Sequence, residues 1–205
     1  MSSQSSRAGS EGSRQQVRLG GVAALTAAGL CVLSSALSQV APVGTEYVTA
    51  TDYVHQLVLA AAYAAVLVAL RGLHVRQRPH PRYGRLGTIG TALTAIGYGA
   101  VLVIVVIGAV AGSRVLNEAR IVAAAVLLVG SAALGVATLR ARAVPWWCGA
   151  LLLVAFPVGD IANEVLDGAE GLLQALLWGS VGATLLKPPT PTSEASRGPS
   201  APARR

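Results

Sequence analysis

The stretch from Arg85 to Ala111 reads RLGTIGTALTAIGYGAVLVIVVIGAVA, and it decides the fold class. After its leading arginine, the stretch carries no charged residue. As a helix rising about 1.5 Å per residue, it is longer than the roughly 30 Å hydrocarbon core of a bilayer. The sequence therefore predicts a transmembrane helix here, one that tilts to fit the membrane.

The composition indicates the same class. Charged residues make up 12% of the 205-residue chain and hydrophobic residues 53%, whereas a soluble domain carries about 25% charged residues. The net charge of +7 does not indicate a nucleic-acid partner, because the basic residues form short clusters between apolar runs. The use of arginine in place of lysine, together with abundant Ala, Gly and Val, is typical of a GC-rich bacterial genome.

Six apolar runs predict an all-α integral membrane bundle of six transmembrane helices within residues 17–187. The short fifth and sixth runs leave a re-entrant hairpin open as an alternative. The first run leaves a cleaved secretory signal open, although it is longer than the roughly 7 to 15 apolar residues of such signals. The polar segments 1–16 and 188–205 are predicted to be disordered tails, because they cannot bury enough apolar surface. The predicted spans cover about 19–40, 54–73, 86–111, 121–139, 144–160 and 169–186.

The basic residues predict the orientation. With the N-terminus and the C-terminus both cytoplasmic, only Arg114 and Arg120 of the 16 lysine and arginine residues fall on the outer side. An excess of positive charge in cytoplasmic loops is the main determinant of membrane topology. We therefore expect a location in the bacterial cytoplasmic membrane.

This layout, with a basic N-terminus, alternating arginine-rich loops and an RLG-headed third span, resembles that of many small six-span bacterial membrane proteins of unknown function. The resemblance covers the whole chain but carries no functional residue with it. The RLG at Arg85 also has an echo in RLGGVAALTAAG, which begins at Arg18. An internal repeat and chance similarity both remain open as explanations.

Small residues recur at three- and four-residue steps on the third and fourth spans. Such faces let helix backbones approach closely in lipid, so they predict helix packing, with a substrate groove as the alternative. The predicted packing residues are Gly87, Gly90, Gly97, Gly108, Gly112, Ser131 and Gly135.

The segment FPVGDIANEVLDGAEGLLQ, residues 156–174, holds the strongest candidate site. On a helix, Asp160, Glu164 and Asp167 share one face, with Asn163 beside them. Oxygen ligands of this kind suit a hard cation such as Ca²⁺ or Mg²⁺, and closely spaced carboxyls also suit proton exchange. A solvated acidic loop and a partner-binding patch remain alternatives, and the identity of any metal is left open.

Four further polar residues at the predicted outer side are candidate contributors to this site: Asp52, His55, Glu170 and Gln174. A histidine joined to carboxylates would suit a divalent metal. The alternative for His55 is an interfacial histidine that forms hydrogen bonds near the lipid headgroups.

Together these features predict a multi-pass membrane protein that is a small transporter, an ion-responsive protein, or an accessory or structural subunit. The alternative is a metal-dependent membrane enzyme with a carboxylate and histidine site at the outer face. A non-enzymatic role is favoured, and neither a catalytic residue nor a cofactor is predicted. The expected partners are the lipid bilayer, anionic inner-leaflet lipids that meet the arginine-rich loops, and a membrane protein or a second copy of the chain.

Overall fold

The computed structural model describes residues 3–40, 47, 49–112, 116–166 and 168–187. Within these ranges the chain forms six α-helices and no strand. Each helix is long and apolar enough to cross a membrane. The predicted all-α fold with six potential spans is therefore confirmed, and it is compatible with a multi-pass membrane protein. The helices are α1 (Ser3–Val40), α2 (Ala50–Gln77), α3 (Gly84–Ala111), α4 (Asn117–Ala141), α5 (Trp146–Val165) and α6 (Ala169–Leu186).

Local capping explains why helices extend beyond the apolar runs. α2 begins at Ala50, ahead of the predicted span, because Thr49 and Asp52 form a capping box. The Thr49 backbone N–H donates to the Asp52 carboxylate over 2.7 Å. At the other end of α3, Gly112 adopts φ 67°, a left-handed conformation that glycine tolerates and that ends a helix.

The N-terminal segment differs from the prediction. α1 begins at Ser3, so most of the segment predicted to be a disordered tail is helical. Residues 11–15 of this extension are exposed. Low burial does not prevent this, because a helix already nucleated in an apolar span can extend by one hydrogen bond per residue. The predicted C-terminal tail, 188–205, lies outside the described residues.

The helices pack as a closed ring in chain order. Each helix contacts the next, α1 also contacts α6, and α2 contacts α6 across the bundle. Neighbours run in opposite directions, so arginines such as Arg71, Arg85 and Arg140 lie at one end, which we term the basic end. The opposite end, with Asp52 and Glu170, is the acidic end.

Glycines bring the helix backbones into contact. A Cβ atom at Gly72 of α2 would lie 2.7 Å from the Cα of Gly20 of α1. On the other side of the bundle, a Cβ at Gly90 of α3 would lie 2.5 Å from the Leu134 nitrogen of α4. These two helix pairs are held by direct backbone approach, which lipid-embedded bundles favour.

The other predicted packing residues have varied surroundings. Gly97 faces the Leu127 side chain, Gly135 faces the Gly149 carbonyl, and Gly87 lies under the ring of Tyr83. Gly108 and Ser131 are buried, and the Ser131 hydroxyl donates to the Leu128 carbonyl. Gly112 ends α3, and its carbonyl accepts the Tyr47 backbone N–H over 2.9 Å. The RLG echo also diverges, because Gly20 meets a helix backbone and Gly87 meets an aromatic ring.

Large apolar side chains cover the outside of the bundle, whereas aromatic and aliphatic side chains fill the inside. Ile96, Val103 and Ile121 are among many exposed examples, and Trp178 and Leu134 are fully buried. Burial of the large inner side chains and exposure of apolar outer ones is the pattern expected of a bundle that has lipid around it.

Candidate functional site

The predicted acidic segment lies where α5 turns into α6 at the acidic end. Asp160 and Glu164 lie in the last turns of α5, but their side chains, and all of Asp167, lie outside the described part of the chain. Asn163 is exposed, and its Oδ1 accepts the Gly168 backbone N–H over 2.8 Å. Gly168 adopts φ 84° and precedes α6. Asn163 therefore has a clear role in closing this turn, and the cation or proton site stays a prediction.

Asp52 forms hydrogen bonds with a neighbour in sequence, and His55 forms one with another helix. The Asp52 carboxylate accepts the Thr49 backbone N–H and its hydroxyl, over 2.7 and 2.9 Å. The buried His55 Nε2 lies 2.8 Å from the Ser34 hydroxyl of α1. In the described ranges, no group of three His, Cys, Asp or Glu residues is placed to hold a metal ion.

Gln174 lies in a polar and aromatic cluster inside the bundle, which we term the Tyr98 cluster. The Tyr98 hydroxyl donates to the Gln174 Oε1 over 3.1 Å. The Trp178 indole N–H lies 3.2 Å from the same oxygen and 3.3 Å from the Tyr98 hydroxyl. All three side chains are buried. The cluster consists of Tyr63, Tyr98, Phe156, Gln174 and Trp178.

Four helices contribute to the Tyr98 cluster. The ring of Tyr98 from α3 lies 5.8 Å from those of Tyr63 of α2 and Phe156 of α5, centroid to centroid. The Trp178 ring of α6 lies 6.0 Å away in an edge-on arrangement. These are favourable aromatic spacings. The cluster therefore joins four of the six helices inside the bundle.

The orientation of the Gln174 amide is fixed by its partner. An indole N–H can only donate, so the atom facing Trp178 must be the amide oxygen. The amide nitrogen Nε2 then points away from the pair. It is buried and has no hydrogen-bond partner among the described residues. A buried amide N–H without a partner costs about 1–3 kcal/mol.

Glu170 lies one turn before Gln174 on α6 and joins the cluster to the acidic end. It is half-buried, and its side chain packs against Gly159 of α5. α6 therefore carries polar groups inward from the turn at Gly168.

The sequence analysis did not predict Tyr63, Tyr98 or Trp178 as site residues, and it did not pair Ser34 with His55. A signal was present for the three aromatic residues. Tyr63, Tyr98 and Trp178 lie in the middle of apolar runs, whereas aromatic residues with polar tips usually concentrate at the membrane boundary. A buried tyrosine hydroxyl or indole N–H needs a hydrogen-bond partner, and this requirement indicates a polar residue such as Gln174 nearby.

A second set of buried polar contacts stiffens the basic end. Gln77 of α2 is fully buried, and its Oε1 accepts from the Thr138 hydroxyl of α4 over 3.2 Å. The Tyr83 hydroxyl, just before α3, lies 2.6 Å from that of Thr91 and 3.1 Å from the His74 Nδ1. Burial raises the pKa of Tyr83, and the hydrogen bond with Thr91 partly offsets that rise.

Comparison with known proteins does not assign the site. No protein family, no curated protein and no solved structure matches this chain.

Proposed function

We propose that this chain is a multi-pass protein of the bacterial plasma membrane with both termini in the cytoplasm. Six helices long and apolar enough to cross a membrane support the first part. The concentration of arginine in the segments at the basic end supports the second, since cytoplasmic loops are enriched in basic residues.

Single-cysteine labelling tests this orientation. Cys31 and Cys148 are both buried, and the variant with Cys31→Ala and Cys148→Ala has no thiol that could react with the maleimide. A membrane-impermeant maleimide should label Leu166→Cys at the acidic end in intact cells. His80→Cys at the basic end should react only after the membrane is opened. The reverse pattern would contradict the proposed orientation.

Within that topology, we propose a small transporter or ligand-responsive protein whose binding site is the Tyr98 cluster. The observation that carries this proposal is the buried Gln174 Nε2, which has no partner among the described residues. Ionisable and polar groups inside a membrane bundle are costly and are commonly functional. The ligand class is a small solute that offers an oxygen acceptor to Nε2 and an apolar body to the aromatic rings.

We further propose that the acidic segment is a cation or proton site coupled to ligand binding at the Tyr98 cluster. The residues of this site would be Asp160, Asn163, Glu164 and Asp167. The connection through Glu170 on α6 supports this coupling, because that helix runs from the acidic turn to Gln174. A cation at 100 times its dissociation constant should stabilise the purified protein by about 2.7 kcal/mol. Thermal unfolding with Na⁺, K⁺, Mg²⁺ and Ca²⁺ should show this for the wild type and not for Asp160→Asn with Glu164→Gln.

Tryptophan fluorescence tests the Tyr98 cluster directly. The chain has three tryptophans, so Trp146→Phe with Trp147→Phe leaves Trp178 as the single reporter inside the bundle. Small carboxylates and amides with apolar bodies are then titrated against this variant and against the same variant with Gln174→Leu. We expect one solute class to shift the Trp178 emission and to raise the unfolding temperature only when Gln174 is present. If no solute does so, the cluster is structural and an accessory role is the better description.

A further inference from the structure

Three arginines converge on one groove at the basic end. Arg82, Arg140 and Arg142 line an open groove of about 580 Å³ together with Val136 and Leu139 of α4. The two apolar residues lie three positions apart on α4, so they share one face of the helix. The groove therefore has arginines at the end of the bundle. Its apolar wall extends from there along about one turn of α4.

The arginines are presented by ordered backbone. Arg82 precedes Tyr83, whose buried ring and hydrogen bond with Thr91 anchor the connection between α2 and α3. Arg142 adopts φ 52°, a left-handed conformation uncommon for residues other than glycine, and its N–H donates to the Thr138 carbonyl over 3.2 Å. Arg140 lies in the last turn of α4, so two of the guanidinium groups extend from the end of α4 and the third from the α2–α3 connection.

We propose that this groove binds an anionic phospholipid of the cytoplasmic leaflet. The phosphodiester would lie against the three guanidinium groups, whose planar donors suit phosphate oxygens in pairs. One acyl chain would lie along Val136 and Leu139. The positive charge of the arginines favours an anionic headgroup. The apolar wall favours a lipid over a free anion. The inference rests on the proposed membrane topology, and basic pockets at the cytoplasmic side of helical bundles are known to suit such headgroups.

Lipid titration of the full-length protein in neutral detergent tests the site. Phosphatidylglycerol, phosphatidylcholine and inorganic phosphate are each added while binding is followed by native mass spectrometry and thermal unfolding. The test variants are Arg142→Gly, which suits the left-handed backbone, and Arg82→Gln. The matched control is Arg85→Gln, an exposed arginine at the same end that does not line the groove.

We expect phosphatidylglycerol to bind the wild type and the control alike, and to bind each test variant about five-fold more weakly. Equal binding of phosphatidylcholine would overturn the proposal, as would an equal loss in the control. Displacement of phosphatidylglycerol by millimolar inorganic phosphate would assign the groove to a free anion and overturn the lipid assignment. Binding in detergent does not depend on orientation, so cysteine labelling separately identifies a failure of the proposed topology.

Discussion

The Trp178 indole N–H donates to the side-chain oxygen of Gln174, one turn earlier on α6, over 3.2 Å. This contact fixes which way the amide faces, and it leaves the amide nitrogen directed away from both Trp178 and Tyr98. Because both donors use the oxygen, that nitrogen is the buried atom of the cluster without a partner among the described residues. Substitutions of Gln174 can therefore test its part in folding separately from the proposed ligand binding.

Replacing Gln174 with leucine should leave the free energy of unfolding within about 1 kcal/mol of the wild type. It removes a buried donor that has no partner among the described residues, and this gain offsets the loss of the oxygen that accepts from Tyr98 and Trp178. Tyr98 and Trp178 keep their mutual contact of 3.3 Å. Gln174→Ala should lose about 2 kcal/mol or more, because it leaves a cavity. Denaturation in detergent measures both, and a large loss for the leucine variant would show that the amide is needed for folding.

Gly72→Ala should destabilise the protein by about 1–3 kcal/mol, because the new methyl group would lie against the backbone of Gly20. The matched control is Gly29→Ala on α1, where a Cβ atom has no neighbour within 4 Å among the described residues. That change should be neutral or stabilising by up to about 1 kcal/mol through helix propensity. Thermal unfolding of the two variants side by side is the measurement. Equal effects would argue against close contact between α1 and α2.

Ser34→Ala should cost about 1–3 kcal/mol of stability, since it removes the hydroxyl that meets the buried Nε2 of His55. Thr26→Ala, at an exposed position of the same helix, serves as the control and should change stability by less than about 0.5 kcal/mol. Chemical unfolding followed by circular dichroism compares them. If Ser34→Ala matches its control, the contact between α1 and α2 at the acidic end contributes little.

Tyr83 should make stability depend on alkaline pH. Burial raises the pKa of its folded-state phenol above the ordinary value of 10.0, so the folded state holds the proton more tightly than the unfolded state. Its contribution is complete below about pH 10 and is lost as the pH rises through the folded-state pKa. The difference in unfolding temperature between the wild type and Tyr83→Phe should therefore shrink above about pH 10. A difference that stays constant to pH 11 would contradict this assignment.

Helix number and type were predictable because apolar run length reflects the thickness of the membrane. The six runs of the sequence and the six helices coincide, and α6 keeps its predicted bounds, Ala169–Leu186. Helix ends were less predictable where polar residues continue a helix. The exposed start of α1 and the capping box at Thr49 both extend helices beyond their apolar portions.

The candidate site was predictable only in part. Gln174 and His55 stood out as polar residues next to apolar runs, but their partners Tyr98, Trp178 and Ser34 come from distant parts of the chain. Nothing in local spacing relates residue 98 to residue 174, because they meet only when α3 and α6 face each other across the bundle.

By itself, the sequence determined an all-helical chain with six segments suited to a membrane, since hydropathy and length act locally and need no knowledge of neighbours. The tertiary structure alone decided which helices touch, which glycines meet backbone and which polar groups share a buried site. The physical reason is that the cost of a buried amide or of a close backbone approach depends on what another helix places beside it. Gln174 shows this directly: its oxygen is paired with Tyr98 and Trp178, and the same packing buries its nitrogen without a partner among the described residues.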